Sequence, residues 1–304
     1  MVERYTSQKI PFSTILRWQF TKYLSPRSED KHNLFVQTHD SLPDGDYAMW
    51  MGHASLWLSL AGTTLTIDPV FGDIPMHKRH TPLPVPVNTL HAQIILITHA
   101  HYDHFDRSSV RMLLKHNPEA VIVAPIGFWR YLNKEIERER CLELEWWESV
   151  MIGGLFITLT PARHWSKRTP FDTNKALWGG YVIQSKEHCL YHSGDTAQGG
   201  HFKEIAERFE IDEAFLPIGA YRPEWIMRHN HLNPQEAIDA AIDLKAKSLI
   251  PIHYGTFSLS DEPLHEPKAW FEHRIETNPP PFRAKLLEIG EIYRFNDKST
   301  FTST

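Results

Sequence analysis

Four potential metal ligands occur within six consecutive residues, 99–104, which read His-Ala-His-Tyr-Asp-His. Imidazole nitrogens and a carboxylate oxygen are ligands that suit a borderline divalent cation such as zinc. The apolar run 93–98 directly before them predicts a buried strand, so the ligands lie in the turn that leaves its end. A core could bury these groups unpaired only at a large desolvation cost. The spacing therefore favours a metal site over a hydrated polar turn.

Six residues cannot complete two metal sites, but three other predicted strands also end in ligand residues. His164, Asp195 and His253 each follow one of these strands. A single histidine after a strand is more often a core residue, but loops at strand ends can bring several ligands to one rim of a sheet. Together with residues 99–104 they supply five histidines and two aspartates, which is enough for two adjacent ions.

The ligand pattern resembles the metallo-β-lactamase superfamily, and longer blocks resemble its N-acylphosphatidylethanolamine-hydrolysing phospholipase D family. HxHxDH specifies only the superfamily, whereas PIGAY, HxNPxEA and HWSKRT are narrower. A more distant resemblance, to the ascorbate-phosphate lactonase family, rests on the same metal motif. The blocks cover roughly residues 47–260 and are WMGHAS (50–55), TIDPVF (66–71), PARHWSKRT (161–169), NKALWGG (174–180), SGDT (193–196), PIGAYRPEWIM (217–227), HLNPQEA (231–237) and IHYGTF (252–257).

The resemblance implies an αββα sandwich, in which two mixed β-sheets are flanked by helices and the metals lie at one edge. It also implies two zinc ions, with manganese or iron(II) as alternatives, and a hydroxide that bridges them. Asp195 would bridge the two ions. The remaining ligands implied are His99, His101 and His164 for the first metal, and Asp103, His104 and His253 for the second.

We assign catalytic roles to Asp103, Asp195 and His231. The resemblance places His231 in the cleft, and the sequence places it just before a predicted helix at 233–245. Imidazole and the positive end of a helix both favour a substrate phosphate or a departing alkoxide. The alternative is a structural hydrogen bond at the start of the helix.

Three further residues are predicted around the metals or the substrate. Asp68 resembles a superfamily aspartate that would accept a hydrogen bond from a metal-bound histidine, and the alternative is a turn aspartate before Pro69. His53 resembles a pocket residue, although a buried structural histidine fits the sequence nearly as well. Tyr221 would add a polar contact to the substrate.

The elements that must position these residues are short strands alternating with helices. The pattern predicts a hairpin of strands at 55–60 and 63–67, and a helix capped by Asp106 that runs to His116. Residues 141–150 alternate in polarity and predict one strand that is half-buried or at the edge of a sheet. We therefore predict one mixed α/β hydrolase domain at 46–304.

Residues 1–45 are predicted to form an N-terminal extension packed on that domain. Part of it predicts a helix that either docks on the domain or contacts lipid or a partner chain, so peripheral membrane contact is left open. The apolar residues at helical spacing are Phe12, Ile15, Leu16, Phe20 and Leu24.

Composition excludes several classes of protein. A formal net charge of −5 supplies no basic field for broad nucleic-acid binding. The sequence shows no secretory leader and no apolar run of about eighteen residues, which favours a cytoplasmic protein without a transmembrane segment. The two cysteines, Cys141 and Cys189, are outside any metal-binding spacing and are predicted to be buried thiols. The oligomeric state is left open.

Three functions of different classes follow from these features. The first is a phosphodiesterase acting on a phospholipid-like or other small anionic substrate. The second is a lactonase or another carbon-centred hydrolase that uses the same metals. The third is a metal-binding protein without catalytic activity, which the complete ligand set disfavours.

Overall fold

Two seven-stranded sheets form the centre of the computed structural model, which describes residues 2–7, 11, 13–14, 17–18, 20 and 34–295. Both sheets are mixed, since each contains parallel and antiparallel pairs. The strands of the first sheet are β1 (Tyr47–Gly52), β2 (Ser55–Leu60), β3 (Thr63–Ile67), β4 (Ile94–Leu96), β5 (Val121–Pro125), β6 (Cys141–Leu144) and β14 (Ile292–Tyr293). Those of the second are β7 (Ser149–Ile152), β8 (Leu155–Thr160), β9 (Gly180–Gln184), β10 (Cys189–His192), β11 (Glu213–Pro217), β12 (Ser248–Ile252) and β13 (Arg283–Ala284).

In both sheets, strands that follow one another in the sequence are mostly neighbours in space. The first runs β14-β1-β2-β3-β4-β5-β6, and the second runs β13-β12-β11-β10-β9-β8-β7. Within the first, β3 to β6 are parallel; within the second, β10 to β13 are parallel. Loops that leave the carboxyl ends of parallel strands meet at one edge of a sheet, and this edge carries most of the predicted ligands.

Helices cover the outer faces of both sheets. One continuous apolar core lies between the sheets, and a second lies between the first sheet and its helices. The predicted αββα sandwich is confirmed. The helices are α1 (Val2–Tyr5), α2 (Arg107–His116), α3 (Trp129–Leu132), α4 (His201–Ala206), α5 (Glu224–Met227), α6 (Pro234–Asp243) and α7 (Glu266–Thr277), with 3-10 turns at Val87–Thr89 and Arg138–Arg140.

Local sequence signals predicted several elements correctly. The hairpin of β2 and β3 has the predicted bounds, and Asp106 caps α2 by accepting hydrogen bonds from two backbone N–H groups. Asn233 and Glu236 form a capping box at the start of α6, with Pro234 at its first position. Cys141 and Cys189 are buried free thiols, as predicted.

The single strand predicted at 141–150 is wrong. The segment contains two strands, β6 and β7, which belong to different sheets. Between them the chain turns sharply, with a Glu148 N–H to Glu145 carbonyl hydrogen bond of 3.0 Å and a positive φ of 74° at Trp147. The sequence alternates in polarity from Leu142 to Glu145, and β7 alternates between exposed and half-buried residues, so no break in the pattern marked the turn.

The N-terminal segment contacts the sandwich through Tyr5, which is buried, and through Thr6, which pairs with His164. Most of the predicted amphipathic helix is outside the described residues. Phe20 is 66% exposed, and the Trp18 indole donates a 2.7 Å hydrogen bond to Asp261. The remaining apolar residues of that helix, Phe12, Ile15, Leu16 and Leu24, are outside the described part of the chain. No helix among the described residues is long and apolar enough to cross a membrane.

Candidate metal centre

Both sheets contribute to the candidate metal centre. Residues 99–104 follow β4 in the first sheet, whereas His164, Asp195 and His253 follow β8, β10 and β12 in the second. All of the potential ligands are buried except His101 and Asp103, which are half-buried. The seven predicted ligands thus converge from two sheets on one edge of the sandwich.

A first cluster contains His99, His101, His164 and Asp195, whose ligand atoms all lie within 4.8 Å of one another. The Nδ1 atom of His101 lies 2.9 Å from His99 Nε2 and 3.3 Å from His164 Nε2. The sequence resemblance implied these three histidines for one metal.

A second cluster contains Asp103, His104, His253 and also His53. Asp103 Oδ2 lies 3.6 Å from His104 Nε2 and 3.5 Å from His253 Nε2. His53 Nε2 is closer, at 2.9 Å from the same oxygen. The resemblance implied the first three residues for the second metal, and His53 lies directly beside them.

Asp195 lies between the two clusters and directs one carboxylate oxygen toward each. Its Oδ2 atom is 3.8 Å from His99 Nε2 and 3.7 Å from His164 Nε2. Its Oδ1 atom is 3.1 Å from His104 Nε2 and 3.0 Å from His253 Nε2. The position is geometrically suited to a ligand shared by two cations.

The arrangement of the potential ligand atoms suits two bound cations better than it suits hydrogen bonds between the ligands themselves. Buried His104 Nε2, His253 Nε2 and Asp195 Oδ1 form no aligned hydrogen bond to any described residue. Bond lengths of about 2.1 Å in tetrahedral zinc sites place neighbouring ligand atoms roughly 3.4 Å apart. The 2.9–3.8 Å separations within the clusters bracket that spacing.

The electrostatics of the first cluster favour deprotonated ligands. Burial and neighbouring histidines hold the pKa of His99 well below its usual range, and burial lowers the pKa of His101 to about 4. Burial works against the ionised form of Asp195, but His104 and His253 outweigh it and hold the pKa of that carboxyl well below its usual range. Neutral imidazoles and an ionised carboxylate are the forms that bind a metal.

In the second cluster, the carboxylates affect the pKa values of the histidines more strongly than burial does. Burial opposes the charged forms of His104 and His253, but Asp195 and Asp103 outweigh it. They raise the pKa of His104 well above its usual value and that of His253 to about 9. The two carboxylates hold positive charge on these rings, and a divalent cation at the same place would replace the protons.

The model of the β-lactamase superfamily domain matches residues 63–254, which include all seven of the converging ligands. The chain belongs to this superfamily. The match ends at Tyr254 and so extends just beyond His253.

Two proteins that are 30–34% identical to this chain carry the same enzyme name. One is the N-acyl-phosphatidylethanolamine-hydrolyzing phospholipase D, mitochondrial, of Saccharomyces cerevisiae, which is 34% identical over 82% of this chain. The other is N-acyl-phosphatidylethanolamine-hydrolyzing phospholipase D 1 of Caenorhabditis elegans, which is 30% identical over 88% of this chain. The chain spans 56% of the yeast protein and 80% of the nematode protein. The predicted cytoplasmic location of this chain stays a prediction.

A solved structure shows the same fold at low sequence identity. The isothiocyanate hydrolase from Delia radicum gut bacteria superposes with a TM-score of 0.66 and is 17% identical. The superposition covers 82% of this chain and 98% of that one. This chain therefore has the fold of the metal-dependent hydrolases in the superfamily.

Asp68 positions one of the candidate metal ligands. Its carboxylate accepts hydrogen bonds from the Thr98 N–H at 2.7 Å and the Thr98 hydroxyl at 2.5 Å, and it lies 2.6 Å from His104 Nδ1. A hydrogen bond from that nitrogen fixes the tautomer of His104 and leaves Nε2 free to face Asp103 and Asp195.

Replacing Asp68 with asparagine is expected to weaken metal binding by roughly ten- to a hundredfold, because His104 would lose its anionic partner. Competition titration against a chelator would measure the change. Asp239→Asn, at an exposed position of α6, is a matched control. An unchanged metal affinity in Asp68→Asn would show that this hydrogen bond does not tune the centre.

His53 contacts two other members of the second cluster. Its Nε2 atom lies 2.9 Å from Asp103 Oδ2, its ring centroid is 3.9 Å from that of His253, and its carbonyl accepts the His253 N–H at 2.8 Å. Burial lowers the pKa of His53 to about 3. A neutral ring that donates from Nε2 would orient Asp103. His53 is absent from the described residues that line the cavity beside the centre, so its role in a pocket stays a prediction.

Two positioning residues were missed by the sequence reasoning. The Arg168 guanidinium donates to the carbonyls of Ala100 at 3.2 Å and Phe105 at 2.6 Å, and so holds both ends of the ligand turn. His192 lies 3.0 Å from the Ala54 carbonyl through Nε2, and its Nδ1 accepts the Gly194 N–H. The block HWSKRT contained Arg168, but no local signal indicated which backbone it would contact.

The centre opens into a cavity of about 700 Å³. His231 lines this cavity, and its Nδ1 atom lies 3.7 Å from Asp195 Oδ2. Tyr221 is absent from the described residues that line it; the Tyr221 hydroxyl donates to Glu266 instead, at 2.7 Å. The structure therefore brings His231 to the centre but does not bring Tyr221 there.

Proposed function

We propose that this chain is a binuclear metal-dependent phosphodiesterase of the N-acylphosphatidylethanolamine phospholipase D type, with two zinc ions in the centre. His99, His101 and His164 would hold one ion, and Asp103, His104 and His253 the other. The observation that carries the proposal is the position of Asp195, which directs one oxygen toward each cluster.

Two bound divalent ions would lower the pKa of water and neutralise negative charge on a phosphodiester. The protein's own residues then have three tasks. Asp195 fixes the separation of the two ligand sets, Asp68 holds the His104 ring, and His231 faces the reacting group from the cavity. A donor on His231 would stabilise the departing alkoxide as its charge develops.

The cavity supports an amphiphilic substrate. Its volume is within the range typical of small-molecule sites. Four of the candidate ligands also line it, namely His101, Asp103, His164 and Asp195, and its apolar lining includes Trp18, Ile74, Trp165, Ile226, Met227 and Leu259. Such walls suit a substrate with a hydrocarbon part and a polar group, and Lys167 adds a cation that suits a phosphate.

A comparison of substrates on protein of known metal content tests the proposal. Protein purified without chelator is expected to contain about two equivalents of zinc and to cleave a glycerophospholipid phosphodiester. Removal of the metal should abolish turnover, and zinc should restore it. Lactone turnover without phosphodiester cleavage would move the assignment to a lactonase. A folded, metal-free protein that retained activity would contradict the metal centre itself.

A further inference from the structure

The backbone of the candidate metal ligand His164 is held by the N-terminal segment. His164 lies beyond the end of β8, outside the strand ladders of both sheets, and pairs with Thr6 in an isolated bridge. The Ser7 N–H donates to the His164 carbonyl at 3.0 Å. The His164 N–H is shared between the Tyr5 carbonyl at 3.2 Å and the Ala162 carbonyl at 3.0 Å. One metal ligand is therefore connected to the start of the chain on both sides of its peptide backbone.

The other contacts of this ligand come from the hydrolase domain itself. The Arg163 N–H donates to the Thr196 hydroxyl at 3.0 Å, and the Arg163 carbonyl accepts the Ala197 N–H at 3.0 Å. The His164 ring donates from Nδ1 to the Asn230 carbonyl at 3.1 Å, which leaves Nε2 for a metal. All of these residues are inside the matched superfamily domain, whereas the N-terminal segment precedes it.

The N-terminal strand has its own anchor on the sandwich. The buried Tyr5 ring packs edge-on against Trp146 with a centroid distance of 5.3 Å, and its hydroxyl donates to Glu204 at 2.5 Å. Burial and the Glu204 carboxylate raise the pKa of Tyr5 to about 12, so the hydroxyl keeps its proton. Arg4 forms an ion pair with the same carboxylate. None of these anchoring groups is a candidate metal ligand, so the anchor can hold the strand in place for His164.

We propose that Tyr5 and Ser7 are positioning residues for the first metal and act through the backbone of His164. A ligand contributes to affinity only when its nitrogen is held at the correct place, and outer partners that orient a ligand change metal affinity by roughly ten- to a hundredfold. The inference rests on the proposed function, because it requires an ion held by His99, His101 and His164.

The proposal has a reciprocal consequence. If the docked N-terminal strand tightens metal binding at the first cluster about tenfold, the bound metal must stabilise the docked strand by the same factor. The strand is therefore expected to leave the sandwich about ten times more often in metal-free protein than in zinc-loaded protein.

Competition titration of zinc against a chelator tests the first half of this coupling. Ser7→Pro removes the N–H that donates to His164, whereas Ser7→Ala retains it and is the matched control. Ser7→Pro is expected to bind one of the two zinc equivalents about tenfold more weakly, and Ser7→Ala should bind both like wild type. Tyr5→Ala, which removes the anchor, should resemble Ser7→Pro. Equal zinc affinities in Ser7→Pro and wild type would overturn the proposal.

Hydrogen exchange in wild type tests the second half without any substitution. Zinc is expected to slow exchange of the Ser7 amide about tenfold beyond its effect on the Asn117 amide, which bonds within α2 and reports on the stability of the domain. Equal slowing at the two amides would show general stabilisation by the metal and would overturn the coupling. Wild type that bound no zinc would overturn the proposed function as well, so the two failures are distinguishable.

Discussion

Asp195→Ala is expected to lower turnover by about a thousandfold or more while the fold is retained. Asp195 is the only described residue whose two oxygens face both ligand clusters, so its loss affects both sites at once. Residues that act as one catalytic unit lose most of their effect when a single member is removed. The surrounding core does not depend on this carboxylate for packing, so stability should change less than activity.

Steady-state kinetics at measured metal content would check this expectation, with thermal unfolding as the test of fold. Asp195→Asn separates charge from shape, because the amide keeps the size of the side chain. Asp239→Ala serves as a surface control. Near-normal turnover of Asp195→Ala at equal metal content would contradict a shared ligand at this position.

His231→Ala is expected to lower turnover of a phosphodiester by about 10²–10³-fold and to leave the metal content unchanged. His231 is absent from the seven-ligand set, although its Nδ1 atom lies 3.7 Å from Asp195 Oδ2 and faces the cavity. It also precedes α6, whose N-terminus contributes partial positive charge. A contact that strengthens as negative charge develops lowers kcat more than it raises KM.

The comparison of a phosphodiester with a lactone gives the most information about His231. His116→Ala, at an exposed position of α2, is the matched control. Small and equal effects on both substrates would favour a structural role before the helix. Loss of metal from His231→Ala would show that the residue supports the centre instead of the substrate.

The parts of the fold that the sequence predicted well are those fixed by local interactions. The Asp106 cap, the start of the helix at Asn233 and the hairpin of β2 and β3 depend on residues a few positions apart. The ligand turn 99–104 is also local, and the later ligands could be found because each follows a strand. The split of residues 141–150 between two sheets was not predictable, because strand pairing over long separations decides it.

The parts of the site that were missed depend on contacts between distant segments. Arg168 holds the ligand turn more than sixty residues away, and no spacing rule links the two. Ser7 reaches His164 through a backbone pairing that neither segment's side-chain pattern encodes. Such contacts form only when the chain folds, so no local pattern in the sequence indicates them.

The division of the ligand set between the two sheets has a consequence for folding. Residues 99–104 follow β4 in one sheet, whereas His164, Asp195 and His253 follow strands of the other. An ion held by both sets would act as a cross-link between the halves of the sandwich and would bind only after they had assembled. By mass action, each tenfold rise in free metal above its dissociation constant would add about 1.4 kcal/mol to the free energy of unfolding. Metal supply would then govern the lifetime of the folded protein as well as its catalysis.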